Sequence, residues 1–116
     1  MRRERVAVLT INTTDRRAVL RLPDRADVSS AVALHEILLR AHLDAIDSVN
    51  IDAGEVAKLD AAVLQLLVAW LNSLNAQHIP WHWQAASETF NQVVALAGLT
   101  EILRLANERS DENSGN

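Results

Sequence analysis

The 116-residue chain contains no cysteine. Disulfides, thiol nucleophiles and thiolate metal sites are therefore excluded. Lysine is nearly absent as well: Lys58 is the only one. With a net charge of −4 and no basic stripe interleaved with aromatics, nucleic-acid binding is disfavoured. Long apolar runs are also missing. The longest, Val63 to Leu71, is interrupted by Gln65 and falls far short of the ~20 residues that a membrane-spanning helix needs. The basic opening, MRRERVAVLTINTT, has too short an apolar run for a secretory signal. The sequence shows no nucleophile motif, glycine-rich phosphate loop or metal-ligand spacing, so neither a cofactor nor a metal is expected. A cytoplasmic protein without membrane insertion is the expectation.

What is present is ordinary globular composition, 49% hydrophobic and 22% charged. The length suits one domain that buries about two-thirds of its unfolded surface. Charge is unevenly placed. Residues 1–25 hold seven arginines against Glu4, Asp15 and Asp24, a balance of +4, so the remainder carries −8. A basic first quarter can face an acidic partner or a membrane surface. A solvated strand edge guarded by charge is the simpler reading.

Val6 to Ile11 is rich in β-branched residues and reads as a first strand, Ala18 to Leu22 reads as a second, and the short polar link between them predicts an antiparallel pair. Asp27, or Ser29 and Ser30, can cap a helix running to about Asp44, with Leu34, Ile37, Leu38, Ala41 and Ala45 on one face. Ser48 to Ala53 alternates as a strand, with Val49, Ile51 and Ala53 on one side and Asn50 and Asp52 on the other. Asp60 is placed to cap a second helix to about Asn75. Ile79 to Gln84 is a fourth strand. Ser87 caps a third helix with the stripe Phe90, Val93, Val94 and Ala97, and Gly98 suits its left-handed end. Thr100 to Ala106 is a short last helix. Residues 107–116 hold nothing apolar to bury and are expected to be a disordered tail outside a domain of residues 1–106. This order predicts an α/β domain with a mixed four- to five-stranded sheet. Strands three and four alternate apolar with polar residues, so helices should crowd one face.

On the second helix, 100° steps put Val63, Leu66, Leu67, Trp70 and Leu74 on the core side. Ala61, Leu64, Gln65, Val68 and Asn72 lie opposite. Leu64 and Val68 are then apolar where solvent is expected. Either they pack beneath a neighbouring element or they meet a partner. Trp81 and Trp83 share one side of strand four and, with Trp70, are expected to centre the core. His35 and His42 share a helix face, but about 10 Å of rise separates them, too far for one metal. Asp52 and His82 would form a base and its orienter if strands three and four align them. A structural or solvated pair is the preferred reading.

The stretch IDAGEVAKLDAAVLQLLVAWL carries the most specific signal. It resembles the signature of the STAS family, the domain of anti-sigma factor antagonists and of sulfate-transporter tails. The match runs through Asp52, Val56, Leu59, Asp60, Leu64, Leu67 and Val68. Downstream, PWHWQAASETFNQVVALAGLTEIL is similar to the STAS ending. Ala61 and Ala62 stand where such proteins carry hydroxyls, one of which many regulatory members phosphorylate, and Val63 replaces a glycine. The resemblance implies a STAS-like fold and a non-catalytic interaction module in bacterial signalling with a degenerate phosphorylation site at Ala61 and Ala62. It further implies a regulatory protein partner, a kinase-type anti-sigma factor or a chemotaxis or two-component protein, meeting Leu59, Asp60, Ala61, Ala62, Leu64, Gln65 and Val68. Two alternatives stand beside it. One is a STAS subunit that binds the ATPase of a phospholipid-trafficking ABC transporter, although such subunits keep a threonine after the aspartate. The other is a small enzyme using Asp52 and His82.

Overall fold

The structure is a computed structural model, and it describes residues 6–104. Its strands are β1 (Val8–Asn12), β2 (Arg17–Arg21), β3 (Arg25–Ala26), β4 (Ser48–Ala53), β5 (Lys58–Leu59) and β6 (Trp81–Ala86). Its helices are α1 (Val28–Arg40), α2 (Ala61–Ala76) and α3 (Glu88–Leu96). The main sheet runs β1-β2-β4-β6, antiparallel between β1 and β2 and parallel thereafter. The alternation read in β4 is realised in full: Val49, Ile51 and Ala53 are buried, and Ser48, Asn50 and Asp52 are not. Ala18 and Leu20 of β2 and Trp81 of β6 join the buried side. On the opposite face Arg17, Arg21 and His82 are exposed. Helical crossovers of one hand, stepping in one direction along the sheet, put α1 and α2 on the same face. This is the mixed sheet with one-sided helices that the sequence predicts.

Three boundaries differ from expectation. The first helix stops at Arg40 rather than near Asp44. A 3-10 turn over Leu43–Ala45 follows, because the amides of Ala45 and Ile46 bond back only to His42 and Leu43, which tucks Ile46 into the core. The strand β6 extends two residues beyond Gln84. Ile51 faces Trp83 while Asp52 faces Ala85, so Gln84 is an extra residue, a β-bulge. Residues 100–104 form turns, and the rest of the expected last helix and the tail at 107–116 lie outside the described residues.

The packed side of α2 also differs. Its buried residues are Val63, Leu64, Leu67, Trp70, Leu71 and Leu74. Leu64 and Leu71 take the place foreseen for Leu66, a rotation of about 40°. Trp70 and Trp81 are buried in the core as expected, whereas Trp83 is half-buried at its margin. Trp83 meets Trp81 edge-on at 6.4 Å and lies 5.2 Å from Phe90, so the phenyl ring joins the aromatic cluster of β6.

Candidate functional site

Two-residue strands are too short to read from periodicity, yet β3 and β5 position the site. They pair in parallel, Arg25 with Lys58 and Ala26 with Leu59, and so bring the starts of α1 and α2 side by side. The Asp24 carbonyl accepts from the amides of Ala57 (2.7 Å) and Lys58 (3.1 Å), and the Asp60 amide donates to the Ala26 carbonyl at 2.9 Å. Asp60 occupies the N-cap position of α2 but makes no side-chain bond to its own helix. Its Oδ2 accepts instead from the Val28 amide, at 2.9 Å. The expected cap of α2 is thus a cap of α1, delivered across the paired loops.

The α1 start carries its own cap as well. Asp27 Oδ1 accepts from the Ser29 amide (3.2 Å) and the Ser29 hydroxyl (2.6 Å). The Ser29 hydroxyl bond, with Lys58 nearby, holds the Asp27 carboxyl below its ordinary range. Two carboxylates therefore serve the free amides at one helix end, where the helix dipole favours negative charge.

The residues expected to meet a partner separate into two groups. Leu59 and Leu64 are 7% and 3% exposed and belong to the core, which corrects their placement on a surface. Ala61 and Gln65 are exposed, while Asp60, Ala62 and Val68 are half-buried. Beside Gln65 and Ala62 lies a groove of about 310 Å³ between the two helices, lined by Ala31, Val32, His35, Ala62, Gln65 and Leu66. Its α1 wall adjoins an exposed apolar row: Val28 is 65% exposed, Val32 68% and Leu39 70%. These positions repeat every four or seven residues off the buried stripe, a signal present in the sequence and passed over there. From Ala61 to Ala76 the helix α2 has no charged side chain.

Asp52 and His82 are not brought together. His82 pairs with Asn50 across β4 and β6, whereas Asp52 faces Ala85. Asp52 is engaged by Arg21 at 3.2 Å and by the Gly54 amide at 2.9 Å. The bulge at Gln84 sets this register, and the base-and-orienter geometry is absent. Among the described residues no group of three histidines or carboxylates could hold a metal ion, and no helix is long and apolar enough to cross a membrane.

Compared with known families, residues 9–105 match the one described as "Mlab, STAS domain". The chain belongs to the STAS family. Comparison with curated proteins returns no match. Among solved structures, this STAS domain is similar to an anti-sigma factor antagonist from Mycobacterium paratuberculosis, with a TM-score of 0.68 at 20% identity over 82% of this chain and 80% of that one. It is also similar to the anti-sigma factor antagonist SpoIIAA in its unphosphorylated form, with a TM-score of 0.66 at 16% identity over 87% of this chain and 99% of that one. The phosphorylated form of SpoIIAA, a Bacillus cell fate determinant, gives 0.65 at 17% identity over 95% and 99%. At these identities the likeness is one of fold. Within the STAS frame, Ala61 opens α2 with a methyl group.

Proposed function

We propose that this STAS domain is a non-catalytic interaction module in bacterial regulation. It docks a regulatory protein, of the kinase-type anti-sigma factor or chemotaxis and two-component class, through the start and outer edge of α2. The surface comprises Ala61, Ala62, Gln65 and Leu66, with Val68 at its margin and Val32 of α1 across the groove. One observation carries the reading: an exposed helix edge without charge opens on a methyl group beside an apolar groove. A ridge of a partner helix fits such a groove through apolar contact. A phosphorylated hydroxyl would add nearly two negative charges at this point. Ala61 has no oxygen to accept one, so docking here is free of that control. A cytoplasmic location belongs to the same proposal.

The test is capture of candidate partners by the wild-type chain, Gln65→Arg and Ala61→Asp. Gln65→Arg and Ala61→Asp are expected to weaken capture at least tenfold with the melting curve unchanged. Capture unaltered by both variants refutes the surface. A second reading, the subunit that binds the ATPase of a phospholipid-trafficking ABC transporter, rests on the STAS membership of residues 9–105 alone. Ala61, in place of a threonine, weighs against it. Recovery of an ABC ATPase rather than a signalling protein would decide for this second reading.

A further inference from the structure

We propose that residues 99–104 form a strap that opens independently of the core, with Arg104 as its latch, and so covers and uncovers the aromatic cluster of β6. The strap leaves α3 at Gly98, whose φ of 75° is left-handed and where a Cβ would meet nothing within 4 Å. It is internally closed: the Leu103 amide donates to the Leu99 carbonyl at 2.9 Å and the Arg104 amide to the Glu101 carbonyl at 3.0 Å.

Among the described residues its polar hold on the body is made by Leu99, Leu103 and Arg104, the Leu99 amide donating to the Val94 carbonyl of α3 at 3.0 Å. The Leu103 carbonyl accepts from Trp83 Nε1 at 2.7 Å, and its side chain is fully buried. The Arg104 guanidinium lies 4.4 Å from the Trp81 ring centroid and donates to Asn75 Oδ1 at 3.2 Å. The same Asn75 oxygen accepts from Trp81 Nε1 at 2.9 Å. One guanidinium thereby joins the end of α2, the start of β6 and the strap. The Leu99 side chain packs at the core margin, while Glu101 and Ile102 are exposed.

Two features favour release as a unit. Arg104 has a φ of 55°, a left-handed conformation that disfavours side chains with a Cβ and that release would relax. The latch combines a cation over a ring with one side-chain hydrogen bond, contacts that break locally without disturbing the sheet. When the strap lifts, Trp83 loses its acceptor and its covering together, while Trp81 and Phe90 remain seated on their strand and helix.

The experiment is hydrogen exchange of the full chain, followed by NMR at increasing urea, with acrylamide quenching of tryptophan emission alongside. The indole Nε1–H of Trp83, whose acceptor is the strap's Leu103 carbonyl, is expected to exchange with a shallower urea dependence than the amides of β4. Arg104→Ala is expected to speed it about tenfold, the factor that a lost hydrogen bond and cation–ring contact implies. It should leave β4 amides unchanged and increase quenching. Equal urea slopes for the Trp83 indole and β4, or a Trp83 indole unaffected by Arg104→Ala, overturn the proposal. Leu103→Ala provides the second variant. A folded sheet with a fast-exchanging Trp83 indole supports the proposal, and global unfolding overturns it.

Discussion

Replacing Leu64 by alanine removes the branched end of a side chain that is 3% exposed. Such truncations cost about 2–5 kcal/mol, the transfer of the lost atoms plus the cavity left behind. Leu64 sits among Val63, Leu67 and Leu71, all buried on the same helix, and a site walled by packed side chains collapses poorly. A loss of about 3 kcal/mol is therefore expected. A chain of this length has roughly 6–17 kcal/mol of stability, so the variant stays folded at 25 °C. Its urea midpoint should fall by about 1–3 M with the slope unchanged. Gln65→Ala, one residue on and exposed, should stay within about 0.5 kcal/mol of the parent. Leu64→Asp is far more severe, because it forces a carboxylate into an apolar site with no partner offered. Loss of partner capture by Leu64→Asp would thus report loss of the fold and not loss of a contact. Urea unfolding followed by circular dichroism is the assay. A Leu64→Ala midpoint within about 0.3 M of wild type would refute the placement of this side chain in the core.

Asp60→Ala removes the acceptor of the Val28 amide and should cost about 1–2 kcal/mol, with faster exchange of that amide. Asp60→Asn should recover most of the loss, and equal effects of the two would argue against a cap. Asp27 is held below its ordinary value of 3.8, so its charge stabilises the folded state fully above that pH and progressively less as the pH falls through the lowered value. The urea midpoints of wild type and Asp27→Asn should therefore differ at pH 6 and converge towards pH 2. A gap that is constant across this range would contradict the assignment. His82→Ala should leave stability within about 0.5 kcal/mol, and Asp52→Asn should cost under about 1 kcal/mol by loosening an exposed arginine pair. A non-additive double variant would revive a direct coupling between the two residues.

Some of this architecture was legible without coordinates. The strand β4 alternates cleanly over six residues, and burial follows that alternation. Ser87 accepts from the Phe90 amide as a cap should, and Gly98 takes the left-handed conformation at the end of α3. The side of α2 was harder, because Leu64, Leu66, Leu67 and Val68 are all apolar and differ little in transfer energy. Only the shape of the sheet and of α1 decides which of them goes inside. The partner of Asp60 was hidden for a different reason. Local rules give a side-chain oxygen to the amides just after it, whereas Val28 is 32 positions earlier and arrives through the β3–β5 pairing. The same holds for Asp52, whose neighbour across the sheet depends on a bulge that no period-two pattern encodes.

Gln84 has a consequence for reading other sequences of this kind. Two consecutive outward residues, Gln84 and Ala85, stand opposite Asp52 alone, after which Ala86 returns to the inward side opposite Ala53. The strand thus holds one residue of slack. Removing Gln84 would leave Trp83 and Ala86 with the same partners and the same orientation, whereas removing His82 would reverse the parity of Trp81 against everything that follows. In any alignment of this strand, a single-residue gap belongs at position 84. Sequences gapped there and sequences without a gap would share one core.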